Sequence, residues 1–292
     1  MASLNHFKKT SYRPREGKYL EEKKISFIGC GNMGEAILKG LLGSLFLQAG
    51  EVGFFEKDAS RRDYIKSKYQ IDAADDVCGA AGISKYLLIA VKPQNIAKLM
   101  EELKQCFKPQ RSCIISILAG ISTSYYEEKL GNKASVIRVM PNTPALYNKG
   151  MVTISPGRNA GRKDLDFVTG LMEKIGSSIV IAEDLQHIST AINGSGPAYF
   201  FLFCKALVEA AVNNGLDPDT ARKLAANTMI GAGEMIKRSE MDLEELISRV
   251  ASPGGTTEKA LLVFGKHDFE KIVEKAVESA LKRSMELEKE MV

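Results

Sequence analysis

Ser252, Pro253, Gly254 and Gly255 make a small-residue turn. Thr256 and Thr257 follow, ahead of the apolar helical run Ala260-Leu261-Leu262-Val263-Phe264. A glycine-rich turn that opens a helix leaves the first amides without an intrahelical acceptor, at the positive end of the helix dipole. Such a cup suits a small anion, a carboxylate in particular. The hydroxyls of Ser252, Thr256 and Thr257 add groups that both donate and accept. The same residues also fit an ordinary turn with a threonine N-cap.

A second chemistry is written near the start. Ile25-Ser26-Phe27-Ile28 reads as a short strand, Gly29, Gly31 and Gly34 have G-x-G-x-x-G spacing, and Glu35 to Leu42 continues as a helix. Strand, glycine turn and helix in that order make a dinucleotide fingerprint. Gly29 permits the turn, Gly31 lets a pyrophosphate approach, and Gly34 lets helix and strand pack. Glu56 ends the next strand candidate, Val52-Gly53-Phe54-Phe55, 22 residues after Gly34. An acid about there binds a ribose 2′-hydroxyl and argues for NAD. Lys57, Arg61 and Arg62 lie just beyond and fit a 2′-phosphate instead, or a solvated helix face, so the sequence leaves both NADH and NADPH open.

These groups need a scaffold. Apolar runs at Tyr86–Val91, Ser112–Leu118 and Val136–Met140, with shorter ones at Val152–Ile154 and Ser178–Ile181, alternate with helical segments. Such continuous runs suit a sheet covered on both faces, an α/β fold with a Rossmann-type parallel sheet. The loops ending them, Val91-Lys92-Pro93, Ala119-Gly120 and Pro141-Asn142-Thr143, are candidate cofactor contacts or plain strand-ending turns. Strand patterns stop after about residue 184. Ser195-Gly196-Pro197 predicts a helix start with Ser195 as cap, and Asp217, Asp242 and Asp268 predict three more. The expected layout is an N-terminal extension over 1–24, a dinucleotide-binding domain over 25–183 and an all-α domain over 184–292. The run Ala198-Tyr199-Phe200-Phe201-Leu202-Phe203-Cys204 is apolar all round and predicts a fully buried helix. It is covered either by a second subunit or between the two domains.

Composition narrows the partners. The net charge of +4 comes without a Lys/Arg block interleaved with aromatics, so nucleic acid is not expected. No stretch approaches 18 continuous apolar residues, so no transmembrane helix is expected. Cys30, Cys78, Cys106, Cys113 and Cys204 form no C-x-x-C pair and predict buried or incidental thiols in a reducing compartment, the cytoplasm. His6, His187 and His267 lie far apart, and no metal site is expected. Residues 1–24 lack an apolar core and do not form a secretory signal. They predict a flexible extension, with organelle targeting as the alternative.

Taken in order, IGCGNMGEAI, AVKP, MPNTP, GSGPAYFF and ASPGGTTEKAL resemble the pyrroline-5-carboxylate reductase family over residues 25 to about 287. The resemblance implies reduction of 1-pyrroline-5-carboxylate to L-proline by NADPH or NADH. It implies a helical dimerisation domain, a homodimer that assembles further into rings, and a substrate site completed by the partner subunit. Implied cofactor contacts are Gly29, Cys30, Gly31, Asn32, Met33, Gly34, Ala90, Val91, Lys92, Pro93, Ala119 and Asn142, beside Glu56 and Lys57 from the fingerprint reading. Implied substrate contacts are Ser252, Gly255, Thr256, Thr257 and the acid Glu183. Asn193, Ala251 and Arg249 depart from the residues common in that family.

Imine reduction needs a hydride at carbon, a proton at nitrogen and a grip on the carboxylate. The expected roles are amides of Gly255 to Thr257 with Ser252 on the carboxylate, and the Thr257 hydroxyl on the ring nitrogen as the catalytic group. Two alternatives stand beside this: a β-hydroxyacid dehydrogenase, for which Lys205 is poorly spaced, and a non-catalytic dinucleotide-binding regulator.

Overall fold

A computed structural model describes residues 23–291. Most of the expected extension therefore lies outside the described residues. Lys23 and Lys24 belong instead to the first strand, where Lys23 Nζ donates to Gly50 O at 2.8 Å and Asp72 Oδ2 at 2.9 Å.

The sheet domain runs β1 (Lys23–Ile28), α1 (Asn32–Gly43), β2 (Val52–Phe55), α2 (Ala59–Tyr69), β3 (Asp72–Ala73), α3 (Val77–Ile83), β4 (Ser84–Ile89) and α4 (Ile96–Leu103). It continues with β5 (Cys113–Ser116), α5 (Thr123–Leu130), β6 (Ser135–Met140), β7 (Gly150–Pro156), α6 (Arg162–Met172) and β8 (Gly176–Val180). The eight strands lie in the order β3-β2-β1-β4-β5-β6-β7-β8. Side chains alternate across it as the strand period requires. Ile25, Phe27 and Leu88 join α1 and α6 residues in one core, while Ile28, Leu87 and Ile89 join α3, α4 and α5 residues in the other.

The sheet is not parallel throughout. β7 runs antiparallel to β6, because residues 141–149 are too few for a crossover helix and turn the chain back as a hairpin. The two-residue β3 gave no apolar run to read.

The cysteines also differ from expectation. Cys78 in α3 and Cys106, just past α4, form a disulfide with Cα atoms 5.6 Å apart. Side-by-side packing of the two helices makes this pair, which no local spacing announces. Cys30, Cys113 and Cys204 are free.

The helical part holds α7 (Gln186–Ser189), a π turn (Thr190–Gly194), α8 (Gly196–Asn213), α9 (Pro218–Arg238), α10 (Leu243–Val250), α11 (Thr256–Lys266) and α12 (Phe269–Met291). Asp217 and Asp242 cap α9 and α10 through the amides of Thr220 and Glu245. Asp268 precedes α12, but its carboxylate pairs with Lys271. Ser195 is no cap. It is helical at φ −85° and ψ −26°, its side chain caps nothing, and its amide donates to Thr190 O at 3.0 Å. The π turn thus welds α7 to α8, and the helical run extends over Glu183–Asn213. By length and composition alone that run is able to cross a membrane, which the search for an unbroken apolar stretch did not register.

α8 is not buried within one chain. Phe200, Phe201 and Leu202 are 61%, 66% and 67% exposed, so α8 is not sandwiched between the two domains. Contiguous exposed apolar surface of this kind marks an interface. Burying one phenylalanine contributes roughly 1.5–3 kcal/mol, and a two-fold interface buries two. Phe201→Glu should therefore weaken self-association by at least about 10²-fold. Sedimentation velocity should show wild type as an oligomer and the variant shifted toward monomer; an unshifted variant would contradict this use of α8.

Candidate functional site

Strand order reverses between β1 and β4, the place where such sheets bind ligands. The chain leaves β1 at Gly29 with φ 87°. A Cβ there would lie 2.9 Å from Ala90 O and 3.1 Å from Val91 Cγ1. At Gly34 it would meet Gly29 O at 3.2 Å and Ala90 Cβ at 3.3 Å. Around Gly31 there is nothing within 4 Å. Gly29 and Gly34 thus let backbones pack, whereas Gly31 keeps space open outside. Gly31 is the N-cap of α1 and offers no side-chain acceptor. Among the described residues the amides of Asn32, Met33 and Gly34 have no partner, and the first helical bond is from Glu35 N to Gly31 O at 2.8 Å. Cys30 is fully buried, and burial pushes its thiol up to about 12, so it stays protonated.

Glu56 closes the other side. Its Oε2 accepts from Cys30 N at 2.8 Å and its Oε1 from Asp58 N at 3.1 Å. Arg61 is already committed. It donates through Nε to Cys30 O at 2.8 Å and through Nη2 to Glu35 Oε2 at 2.5 Å. Arg61, one of the three residues that fit either a 2′-phosphate or a solvated helix face, is thus paired with Glu35. Lys57 is exposed and makes no hydrogen bond or ion pair among the described residues. Glu35 also accepts from Lys68, Tyr69 and Tyr64 at 2.9, 2.8 and 3.1 Å, tying α1 to α2. Burial pushes its carboxyl up, but hydrogen bonds from Lys68, Tyr69 and Arg61 outweigh this and hold it at about 2. No local pattern announces this hub, since its partners lie 26 to 34 residues away.

The remaining expected contacts divide. Ala90 and Val91 touch the glycine turn, and Lys92 and Pro93 lead into a short 3-10 turn over Pro93–Asn95. Ala119 precedes Gly120, where a Cβ would sit 3.4 Å from Glu288 N of α12. Asn142 uses its carboxamide internally. Its Nδ2 donates to Asn193 O and Oδ1 at 3.1 and 2.9 Å, and its Oδ1 accepts from Met151 N at 2.9 Å.

Glu183 likewise is consumed. It accepts from Thr123 N at 2.7 Å, from Thr123 Oγ1 at 2.5 Å and from Arg138 Nη1 at 3.4 Å. Arg138, 4% exposed, also faces Glu288, whose other oxygen lies 2.8 Å from His187 Nε2. In one chain Glu183 is an anchor between sheet and helices, not an acid turned to the 252–257 loop. Among the described residues no cluster of His, Cys, Asp and Glu is arranged to hold a metal.

The 252–257 loop is built around its glycines. Gly255 N donates to Ser252 O at 2.9 Å, so this amide closes the turn and is not available to a carboxylate. Gly254, at φ 74°, donates its amide to Glu258 Oε2 at 3.0 Å. Gly255 is the N-cap of α11, and no threonine side chain caps the helix. The amides of Thr256 and Thr257, and the hydroxyls of Ser252, Thr256 and Thr257, have no partner among the described residues. The loop therefore presents three amides, of Ser252, Thr256 and Thr257, and three hydroxyls, and the Glu258 carboxylate already rests on the Gly254 amide. No hydrogen bond or ion pair among the described residues joins residues 251–258 to the sheet domain.

A family model described as pyrroline-5-carboxylate reductase dimerisation matches residues 183–287, and one described as NADP oxidoreductase, coenzyme F420-dependent, matches residues 24–120. Pyrroline-5-carboxylate reductase of Escherichia coli (strain K12) is 34% identical over 268 residues, 92% of this chain and 99% of that protein. The structure of a pyrroline-5-carboxylate reductase from Coxiella burnetii has a TM-score of 0.86 and 31% identity over 91% of this chain and 99% of that one. The Plasmodium falciparum pyrroline carboxylate reductase structure, with NADP bound, has a TM-score of 0.82 and 28% identity over 92% of this chain and 99% of that one.

Two outcomes test the cleft. Gly31→Ala fills only open space, so its melting temperature should match wild type while its dinucleotide Kd rises about tenfold or more; an unchanged Kd would contradict the open approach at Gly31. Glu35 has a folded pKa below its usual value, so its contribution is complete above about pH 4.5 and is lost as pH falls toward about 2. The urea midpoint should fall across that window, and less so in Glu35→Gln; equal falls in both proteins would contradict the hub.

Proposed function

The chain belongs to the pyrroline-5-carboxylate reductase family, and from that premise we propose how its residues reduce the cyclic imine 1-pyrroline-5-carboxylate to L-proline. It is an NAD(P)H-dependent oxidoreductase of proline biosynthesis. The observation that carries the residue assignment is the pair of unpartnered amides at Thr256 and Thr257, at the start of a glycine-capped helix.

The glycine turn fits a dinucleotide. Asn32, Met33 and Gly34 would hold its pyrophosphate, with Gly31 leaving room, and Glu56 stands beside the turn for the ribose. Bound NAD(P)H supplies the hydride. The protein's part is to grip, orient and manage the proton. Amides of Thr256 and Thr257, with the Ser252 hydroxyl, hold the carboxylate through charge-assisted hydrogen bonds. The Thr257 hydroxyl meets the ring nitrogen. A pyrrolinium nitrogen arrives protonated, so the site needs a hydrogen-bond partner there more than a strong acid. Glu56 supports NADH. Lys57, left unpaired at the end of β2, keeps NADPH usable.

The substrate loop has no bond to its own chain's sheet domain. We therefore place the complete site between subunits, with residues 251–258 of one copy facing the cleft of another. The division into a sheet domain to residue 183 and a helical domain beyond it suits this exchange. The exposed face of α8 takes a second copy rather than lipid, giving a homodimer that builds further into a ring. The proposed compartment is the cytoplasm, where the Cys78–Cys106 disulfide would face a reducing medium. The dehydrogenase alternative loses its catalytic lysine, since Lys205 is 68% exposed and pairs with Glu209 at 3.3 Å.

Oxidation of NADH or NADPH that depends on 1-pyrroline-5-carboxylate is the direct test, and absence of turnover with both cofactors would reject the activity. Thr257→Ala should lower kcat about 10²-fold if its hydroxyl serves the ring nitrogen. Ser252→Ala should chiefly raise KM, by about tenfold or more for one charge-assisted bond. A normal kcat in the first or a normal KM in the second removes that residue's role.

A further inference from the structure

We propose that Cys78 and Cys106 are a reversible thiol–disulfide couple that fastens α3 to α4 when conditions turn oxidising. The two residues are 28 apart in sequence, yet their Cα atoms are 5.6 Å apart, at the commonest spacing for a disulfide. Both are half-buried, so a small reagent reaches them, while Cys30 and Cys113 are fully enclosed. Each sulfur lies near one carbonyl oxygen, Glu102 O, at 3.6 Å from Cys78 Sγ and 3.7 Å from Cys106 Sγ. In the dithiol form an S–H therefore has an acceptor in place.

The oxidant required is a low-molecular-weight disulfide such as oxidised glutathione. One thiolate, having released its proton, attacks a sulfur of that disulfide. A mixed disulfide forms and one glutathione thiolate leaves. The second cysteine thiolate then attacks the protein sulfur of the mixed disulfide, and the second glutathione thiolate leaves. Two protein thiols lose two electrons and two protons, and one glutathione disulfide becomes two glutathione thiols.

Closing this loop shortens the unfolded chain's freedom. It also clips together two helices that cover one face of the sheet, packing through Val77, Ala80, Leu99 and Leu103. α4 begins three residues after Pro93 and ends three residues before Cys106, so the lock holds the far end of the element that follows the Ala90–Pro93 loop. The couple hardens the nucleotide domain under oxidation and releases it under reduction.

The test uses the full chain equilibrated over a series of reduced-to-oxidised glutathione ratios, quenched in acid, alkylated, and read by intact mass, peptide mapping and thermal melting. The expected result is joint loss of two alkylation sites, a linked Cys78–Cys106 peptide, and a melting temperature higher by about 5–10 °C, all reversed by dithiothreitol. Cys78→Ser should form no internal link and show no rise. Both thiols remaining alkylatable at every ratio would overturn the proposal, as would a glutathione adduct that never resolves or a link without a rise in melting temperature. Wild-type mapping decides the matter even if the variant folds poorly.

Discussion

Among the described residues, main-chain amides at the starts of α1 and α11 are left without a partner. α1 begins on Gly31 and α11 on Gly255, and neither glycine supplies a side-chain acceptor. By contrast α2, α3, α9 and α10 are closed by Asp58, Asp76, Asp217 and Asp242. An aspartate at either glycine position would satisfy these amides with the chain's own charge. α6 also begins on a glycine, Gly161. It follows the reversed strand β7, so its start falls at the opposite edge of the sheet from the cleft. Two open helix starts, one for a pyrophosphate and one for a carboxylate, are what a dinucleotide-dependent reduction of a small acid requires.

Much of the remaining polar chemistry holds these two starts in place. Glu56 and Arg61 bind the backbone of Cys30 from two sides, and Glu35 gathers four donors from α2. Asn142 and Asn193 pin the π turn to the end of β6, while Arg138, Glu183, Glu288 and His187 join the sheet to α7 and α12. The joint directs α8 away from the sheet with its phenylalanines exposed. Among the described residues neither the 252–257 loop nor the exposed face of α8 is covered by its own chain, and both belong to the proposed two-subunit site.

What the sequence disclosed was local. The glycine fingerprint, the strand runs and the caps at Asp217 and Asp242 all lie within a few residues, where backbone sterics and side-chain reach decide the outcome. What it hid was tertiary. The pairing of Arg61 with Glu35, of Asn142 with Asn193 and of Glu183 with Thr123 joins residues 26, 51 and 60 positions apart. Cys78 and Cys106 carry no pairing signal because two helices, not a motif, make them neighbours. Ser195 and Pro197 resemble a helix start, yet the π turn before them already carries the helix through. The direction of β7 follows from the length of a loop, which the pattern of apolar residues does not weigh.

In the proposed mechanism the Thr256 and Thr257 amides grip the substrate carboxylate in a site shared by two subunits. A crystal structure of the oligomer with L-proline and NADP bound tests this. The proline carboxylate should lie within hydrogen-bond distance of those two amides, with its ring nitrogen near the Thr257 hydroxyl and the nicotinamide of the other subunit alongside. Proline seated on other groups, with these amides facing solvent, would contradict it.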